Sequence, residues 1–429
     1  MRLLFWLVWL VMITSPILGQ SNDRRRFKSD VYNKGQLVKV QAKQALWRFG
    51  SFNITPIVGL RQLGYDSNVF SAEQNEVKDF SISPEVGLST WWRLTPTLHW
   101  MNKATYNYVY YQDLSNLRGS EYGFESRIHG IFKKSYFDTG ANYRHDRQRI
   151  SSEIDDRVYS DRLTLDMTLL LQPTTRGHLK IRPKLYDLVF DDNAADLTSF
   201  KNLERKETTI EVSYLHKIKP QFWPFVEASL QSFDFKNKIV SAGDPGASTI
   251  NKRDESEMSR FSVGFRNEYD RRLHYNVTVG MGSLTFDLAP EIDDDIVIIQ
   301  AFANRKVTRQ WDVEGDLKQE PIFSISSDYG FFVSRRIALG FGYRFRNKTR
   351  IGPEVVFGEN EYTKRFNEAN ILIPLRTDDF KEFNINTSIP IGNSLEWQAV
   401  VGYSKRDVNL PGQSDEGLRL SMDVVYKLK

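Results

Sequence analysis

The chain of 429 residues contains no cysteine. That absence excludes a disulfide scaffold, a cysteine nucleophile, iron–sulfur clusters and thiolate zinc sites together. It also lacks an excess of charge of one sign. Its 58 Lys and Arg face 54 Asp and Glu, a net of +4, so no strong field directs it to nucleic acid. Long apolar runs are scarce. One opens the chain, unbroken from Leu3 to Ile13. After Gly19 none approaches the roughly 18 residues of a membrane-spanning helix, and the longest, Ile296 to Ile299, gives out near Phe302. With 26% charged and 40% hydrophobic residues, the composition is neither disordered nor that of a helical membrane protein.

Arg2, the apolar core and the small residues up to Gly19 read as a secretory signal over residues 1–19. The core is too short to span a bilayer comfortably, which makes an uncleaved anchor the rival reading. Residues 20–45 form a polar periplasmic lead-in with a basic cluster at Arg24, Arg25, Arg26 and Lys28. Such a cluster is ordinarily a solvated tail; plugging a lumen or touching peptidoglycan is the alternative. Gln36 to Trp47 reads as a brief helix or an irregular piece.

From residue 46 to the end one pattern recurs. Apolar and polar residues alternate, the mark of strands with two different faces. Leu418, Leu420, Met422, Val424, Tyr426 and Leu428 share one face, and Arg419, Ser421, Asp423, Lys427 and Lys429 the other. Leu163 to Leu171, Leu273 to Met281 and Ile337 to Phe345 repeat the pattern. Tight turns are expected near residues 95, 134, 174, 220, 271, 306, 335 and 392. Longer polar loops are expected at 111–120, 145–158, 191–205, 236–256, 287–295 and 406–416. Residues 366–375 have no clear place. Short turns on one side and long loops on the other predict an all-β fold: a closed antiparallel transmembrane β-barrel of 16–18 strands, with periplasmic turns and extracellular loops. The 28 Phe, 19 Tyr and 9 Trp suit two headgroup belts. Trp91, Trp92 and Trp100 stand beside one turn, Phe222, Trp223 and Phe225 beside another, and Tyr106 to Tyr111 approach a long loop. A soluble β-sandwich is the rival, but sandwiches seldom put so many strands in one sheet.

The heptad Gly64-Tyr65-Asp66-Ser67-Asn68-Val69-Phe70 resembles the motif near the start of the type 2 beta-barrel porin family, with Asp66 and Asn68 as its polar pair and Tyr65 and Phe70 as its aromatics. The resemblance implies a Gram-negative outer-membrane barrel, in some members tied to exopolysaccharide or capsule export. It covers the barrel in organisation and only this heptad in residue detail. The chain departs from outer-membrane barrels at its end. Tyr426, its last aromatic, is followed by three further residues, which weakens the signal read by the barrel assembly machinery.

Little suggests catalysis. Of His99, His129, His145, His178, His216 and His274, no two stand at metal-binding spacing, and no nucleophile elbow or phosphate loop is present. No enzyme, cofactor or metal is expected. Asp155-Asp156, Asp191-Asp192 and Asp293 to Asp295 lack the spacing of a calcium loop. The informative polar residues are candidate pore-lining charges. His178, Lys180, Arg182 and Lys184 share one face, as do Arg260 and Arg266, and Arg344 and Arg346. Asp312, Glu314 and Asp316 form an acidic row. At mid-depth each Lys or Arg would cost about 2–4 kcal/mol against lipid, so these rows face water. They either set up a transverse field that sorts solutes or pair with neighbours and fix the wall. The expected function is an outer-membrane pore for small polar solutes, or the outer-membrane part of an exopolysaccharide path. A non-conducting surface barrel acting in adhesion or as a scaffold is the alternative. The expected partners are outer-membrane lipid, the assembly machinery and small solutes or polysaccharide.

Overall fold

The computed structural model describes residues 45–69, 77–151, 154–191, 203–219, 222–235, 239–240, 248–249, 253–267, 272–324, 329–362, 375–391, 395–410 and 414–426, with Gly35, Val38 and Lys39. The signal, the basic cluster, Phe70, most of 366–375 and the last three residues lie outside this set.

Eighteen strands form the barrel. They are β1 (Phe52–Asp66), β2 (Asp79–Arg93), β3 (Leu98–Tyr111), β4 (Gly119–Ile131), β5 (Ser135–Ser151) and β6 (Ile154–Leu171). Next come β7 (Gly177–Phe190), β8 (Arg205–His216), β9 (Trp223–Phe235), β10 (Ser256–Asn267), β11 (Leu273–Phe286) and β12 (Asp294–Lys306). The wall ends with β13 (Trp311–Phe323), β14 (Phe331–Arg344), β15 (Arg350–Glu361), β16 (Thr377–Ile391), β17 (Leu395–Val408) and β18 (Asp415–Tyr426). Each pairs antiparallel with the next, and β18 returns to β1, with Val58 opposite Tyr426 and Asp66 opposite Arg419. Closure gives every strand two neighbours, which is what hydrocarbon demands of a sheet.

The heptad belongs to this seam. Gln62 adopts a positive φ of 52° and makes a bulge, after which the register with β18 resumes at Leu63. The Gln62 N–H donates to Asp423 at 2.9 Å. Gly64 lets the backbones close up: a Cβ there would stand 2.3 Å from the Leu420 carbonyl oxygen. Beyond the strand, Ser67 exchanges hydrogen bonds with Leu418 at 3.0 and 2.8 Å, and Asn68 donates to the Glu416 carbonyl at 3.0 Å. The motif clasps the first strand to the last at the long-loop rim. At the other rim β18 stops opposite Val58, and Trp47–Phe49 turns back at Gly50 (φ 62°) to pair with Phe52 to Ile54.

Two sequence expectations are corrected. Residues 334–336 are not a turn but the interior of β14, and the true turn spans 345–349. Two adjacent arginines looked like a polar break. Arg335 instead points outward and is held by Glu359 at 2.9 Å and Glu361 at 2.7 Å on β15. Residues 145–151 and 154–158 are not loop but the two arms of the β5–β6 hairpin.

Alternation separates the aromatic pairs. Trp92 faces out and packs on Trp100 at 6.0 Å between centroids, whereas its neighbour Trp91 turns inward and is buried. Phe222 meets Phe265 at 5.7 Å, and Trp311 meets Tyr343 at 4.7 Å. These rings form a belt at the short-turn rim. Leu230 lies near the middle of β9 and is 66% exposed on the outer face. Replacing it with Arg is expected to destabilise the folded barrel by about 2–4 kcal/mol in lipid vesicles, measured by denaturant titration. Arg at the inward Ser229 should cost much less; equal costs would mean that the two faces are not distinguished by lipid.

Candidate functional site on the inner wall

On β9 to β11 the outward side chains Val226, Leu230, Phe261, Val263, Val279 and Met281 are all exposed, and the residues between them face in. The same parity puts His178, Lys180, Arg182 and Lys184 on the inner face of β7, Arg260 and Arg266 on that of β10, and Asp312, Glu314 and Asp316 on that of β13. Arg344 is the last residue of β14, with inward parity. Arg346 belongs to no strand. It sits in the 345–349 turn, which Phe345 closes by donating to the Thr349 carbonyl at 2.8 Å.

The basic rows do not stand alone. Arg182 pairs with Glu211 on β8, and Arg260 pairs with Glu227 on β9 at 2.5 Å. The wall from β7 to β10 thus reads Arg, Glu, Glu, Arg. Lys180 and Lys184 make no ion pair within the described residues; the Lys184 ammonium lies 5.0 Å from the Tyr186 ring. A second network centres on Arg127 of β4. It grips Asp166 of β6 with two hydrogen bonds of 2.7 and 2.8 Å and Asp138 of β5 at 2.5 Å. On the acidic side Asp312 pairs with Arg350 at 2.6 Å, and Glu314 accepts from Asn304 at 2.8 Å. Glu314, Asp316, Arg336, Arg350 and Glu354 line a cavity of about 360 Å³ in this part of the wall. Sequence reasoning missed Glu211, Glu227, Arg127, Asp138 and Asp166. Their inward parity was readable, but their partners depend on the register between strands.

The long-loop mouth is apolar. Leu188, Phe190, Phe233, Leu284, Phe286 and Ile296 gather with Leu203 and Ile292 into one buried cluster. The β13–β14 hairpin completes it. Pairing between β12 and β13 stops at Ile299 opposite Gln319, and the tip beyond leans inward. Its Phe323 then meets Phe233 and Phe235 of β9 at 4.6 and 5.1 Å, although β9 is not its neighbour in the wall. Buried Arg253, from the loop after β9, donates to the Tyr329 and Gly330 carbonyls at 2.6 and 3.3 Å and ties that loop to the tip. At the long-loop end the described part of the interior is therefore packed with aromatic rings, and charges line the wall below.

At the short-turn end the inner face is apolar again. Trp91, Met101, Ile131, Tyr136 and Leu170, from five successive strands, form a patch on which Val38 is buried. His99 and His129 face each other across β3 and β4 beside it, and His129 stacks on Trp91 at 5.6 Å. No group of three or more potential metal ligands occurs among the described residues.

No family model matches the chain, and no curated protein matches it. Solved structures do. The outer membrane protein OpdK from Pseudomonas aeruginosa is similar with a TM-score of 0.51 at 8% identity, over 87% of this chain and 98% of its own. OccAB2 from Acinetobacter baumannii gives 0.51 at 8% identity, over 89% and 100%. OpdK solved with vanillate gives 0.50 at 8% identity, over 87% and 98%. At such identity the likeness is one of fold: the closed antiparallel β-barrel of eighteen strands is similar in architecture to these proteins.

Arg127→Met removes the cation from three inward carboxylates, Glu125, Asp138 and Asp166. Its expected cost is about 1–3 kcal/mol, read as a lower denaturation midpoint in detergent micelles. Adding Asp166→Asn to it should recover part of the loss. An unchanged midpoint for Arg127→Met alone would mean that lumen water screens the network fully.

Proposed function

We propose that the chain is a pore of the Gram-negative outer membrane that passes small polar solutes by diffusion. The observation that carries this reading is the two-faced wall of a closed eighteen-strand barrel, apolar outward and charged inward. A barrel of this size is too wide for side chains from opposite walls to fill. In this reading residues 1–19 direct export, the assembly machinery inserts the strands, and residues 46–429 are the conducting unit. The lining is built from His178, Lys180, Arg182, Lys184, Arg260, Arg266, Asp312, Glu314 and Asp316, with Arg344 and Arg346 at the periplasmic rim.

The Arg, Glu, Glu, Arg sequence of charges along β7 to β10 favours solutes carrying both charge and dipole, because partners of both signs lie side by side on the wall. The aromatic packing at the outer mouth favours small solutes over an extended polymer. Diffusion is therefore preferred to the polysaccharide path that the heptad's resemblance implies, and to a scaffold acting through its loops.

Purified protein in planar bilayers should show discrete conductance steps; a silent, folded barrel would remove the pore. Lys180→Gln with Lys184→Gln should move the reversal potential in a salt gradient towards cation selectivity, by removing two cations without an ion-pair partner. No shift would take these side chains out of the conduction path.

A further inference from the structure

The apolar patch at the short-turn end breaks the rule that the rest of the inner wall follows. Inward positions are polar where water fills the barrel, yet Trp91, Met101, Ile131, Tyr136 and Leu170 occupy them on β2 to β6. Left wet, such a surface costs free energy in proportion to its area, about 25 cal/mol for each Å². The chain covers it with itself. Val38 is 4% exposed and lies in one cluster with Trp91, Tyr136 and Leu170. Gly35 is so close that a Cβ there would stand 2.6 Å from Cγ2 of Ile131 and 3.7 Å from its Cβ. Lys39 bears electrostatically on His99 at the patch's edge. The connection back to the wall is short: Ala45 is buried, and its carbonyl accepts from Arg48 at 3.4 Å, just before the hairpin of Trp47–Phe49.

We infer that the inner-wall patch is a docking surface for the chain's own N-terminal segment, and that the segment carrying Gly35, Val38 and Lys39 is a displaceable plug that restricts the periplasmic end of the passage. Gly35, Val38 and Lys39 belong to no strand of the wall, so their departure leaves the closed ladder of β1 to β18 untouched. Its hold is the burial of Val38 and the fit of Gly35, with a cationic side chain alongside. This plug presupposes the pore proposed above.

The absence of native cysteine makes the test clean. The 3.7 Å between the Gly35 and Ile131 Cβ positions matches a disulfide, whose Cβ atoms stand about 3.5–4.5 Å apart. Gly35→Cys with Ile131→Cys should form a bond on oxidation in intact outer membranes, seen as a mobility shift reversed by reductant. Failure to form it, in a barrel whose heat-modifiable mobility shows that it is folded, overturns the docking. Val38→Asp puts a carboxylate into the patch and should raise single-channel conductance above that of the parent barrel. The oxidised double variant should stay at the lower conductance. If the bond forms but oxidised, reduced and Val38→Asp barrels conduct alike, the plug is overturned. If no form conducts at all, the pore itself fails. The two failures are thus told apart, since the crosslink is read without any current.

Discussion

The structure rests on one constraint: in hydrocarbon no backbone N–H or C=O can be left without a partner. The barrel meets it by bringing β18 back to β1, and the seam is where the chain spends its unusual residues. Gln62 takes a left-handed conformation, Gly64 allows the backbones to approach, and Ser67 and Asn68 lace the loop to Leu418 and Glu416. A heptad that stands out in the sequence is thereby a closure device. It explains why small and polar residues cluster there without any need for a ligand.

Once the wall is closed, the two faces obey different solvents. Outside, apolar side chains meet lipid, and an arginine such as Arg335 is accommodated where two glutamates from the next strand hold it. Inside, charge is permitted but is mostly paired across strands, as in Arg182 with Glu211 and Arg260 with Glu227. Pairing of this kind is worth little in water. Here it fixes long side chains against the wall and keeps the space between the walls open. The two ends of the interior are treated differently from its middle, with aromatic packing at one mouth and an apolar seat for Val38 at the other.

The sequence made the strands, their faces and the sense of the connections legible, because a period of two is a strong local signal wherever one side meets lipid. It placed the residues of β7, β10 and β13 on their inward faces. It misjudged the Arg335-Arg336 pair and the 145–158 stretch, where polarity comes from strands continuing beyond the bilayer into water. Both look like loops to a rule that reads polarity as a break. Nor could it find the partners of Arg182, Arg260 or Arg127. Those depend on which residue of the next strand lies opposite, which the lengths of the connections between those strands decide. The inward lean of the β13–β14 tip was equally hidden, because Phe323 has outward parity along its strand and acquires its neighbours only when the hairpin bends.

The parting of β12 from β13 carries information about depth. Below it, eight consecutive residue pairs join the two strands, from Lys306 opposite Asp312 to Ile299 opposite Gln319. Above it the edge of β12 from Asp294 to Ile298 has lost its ladder on that side. The Gln319 side chain donates to the Val297 carbonyl at 2.7 Å in partial replacement. Such an opening can exist only in water. At roughly 3.3 Å per residue and a tilt of about 40°, eight pairs climb about 20 Å, close to the apolar band of about 25 Å. In the proposed pore the fork at Gln319 is thus a waterline: hydrocarbon would end near the level at which the strands separate, and the remaining strand tips would stand clear of the membrane.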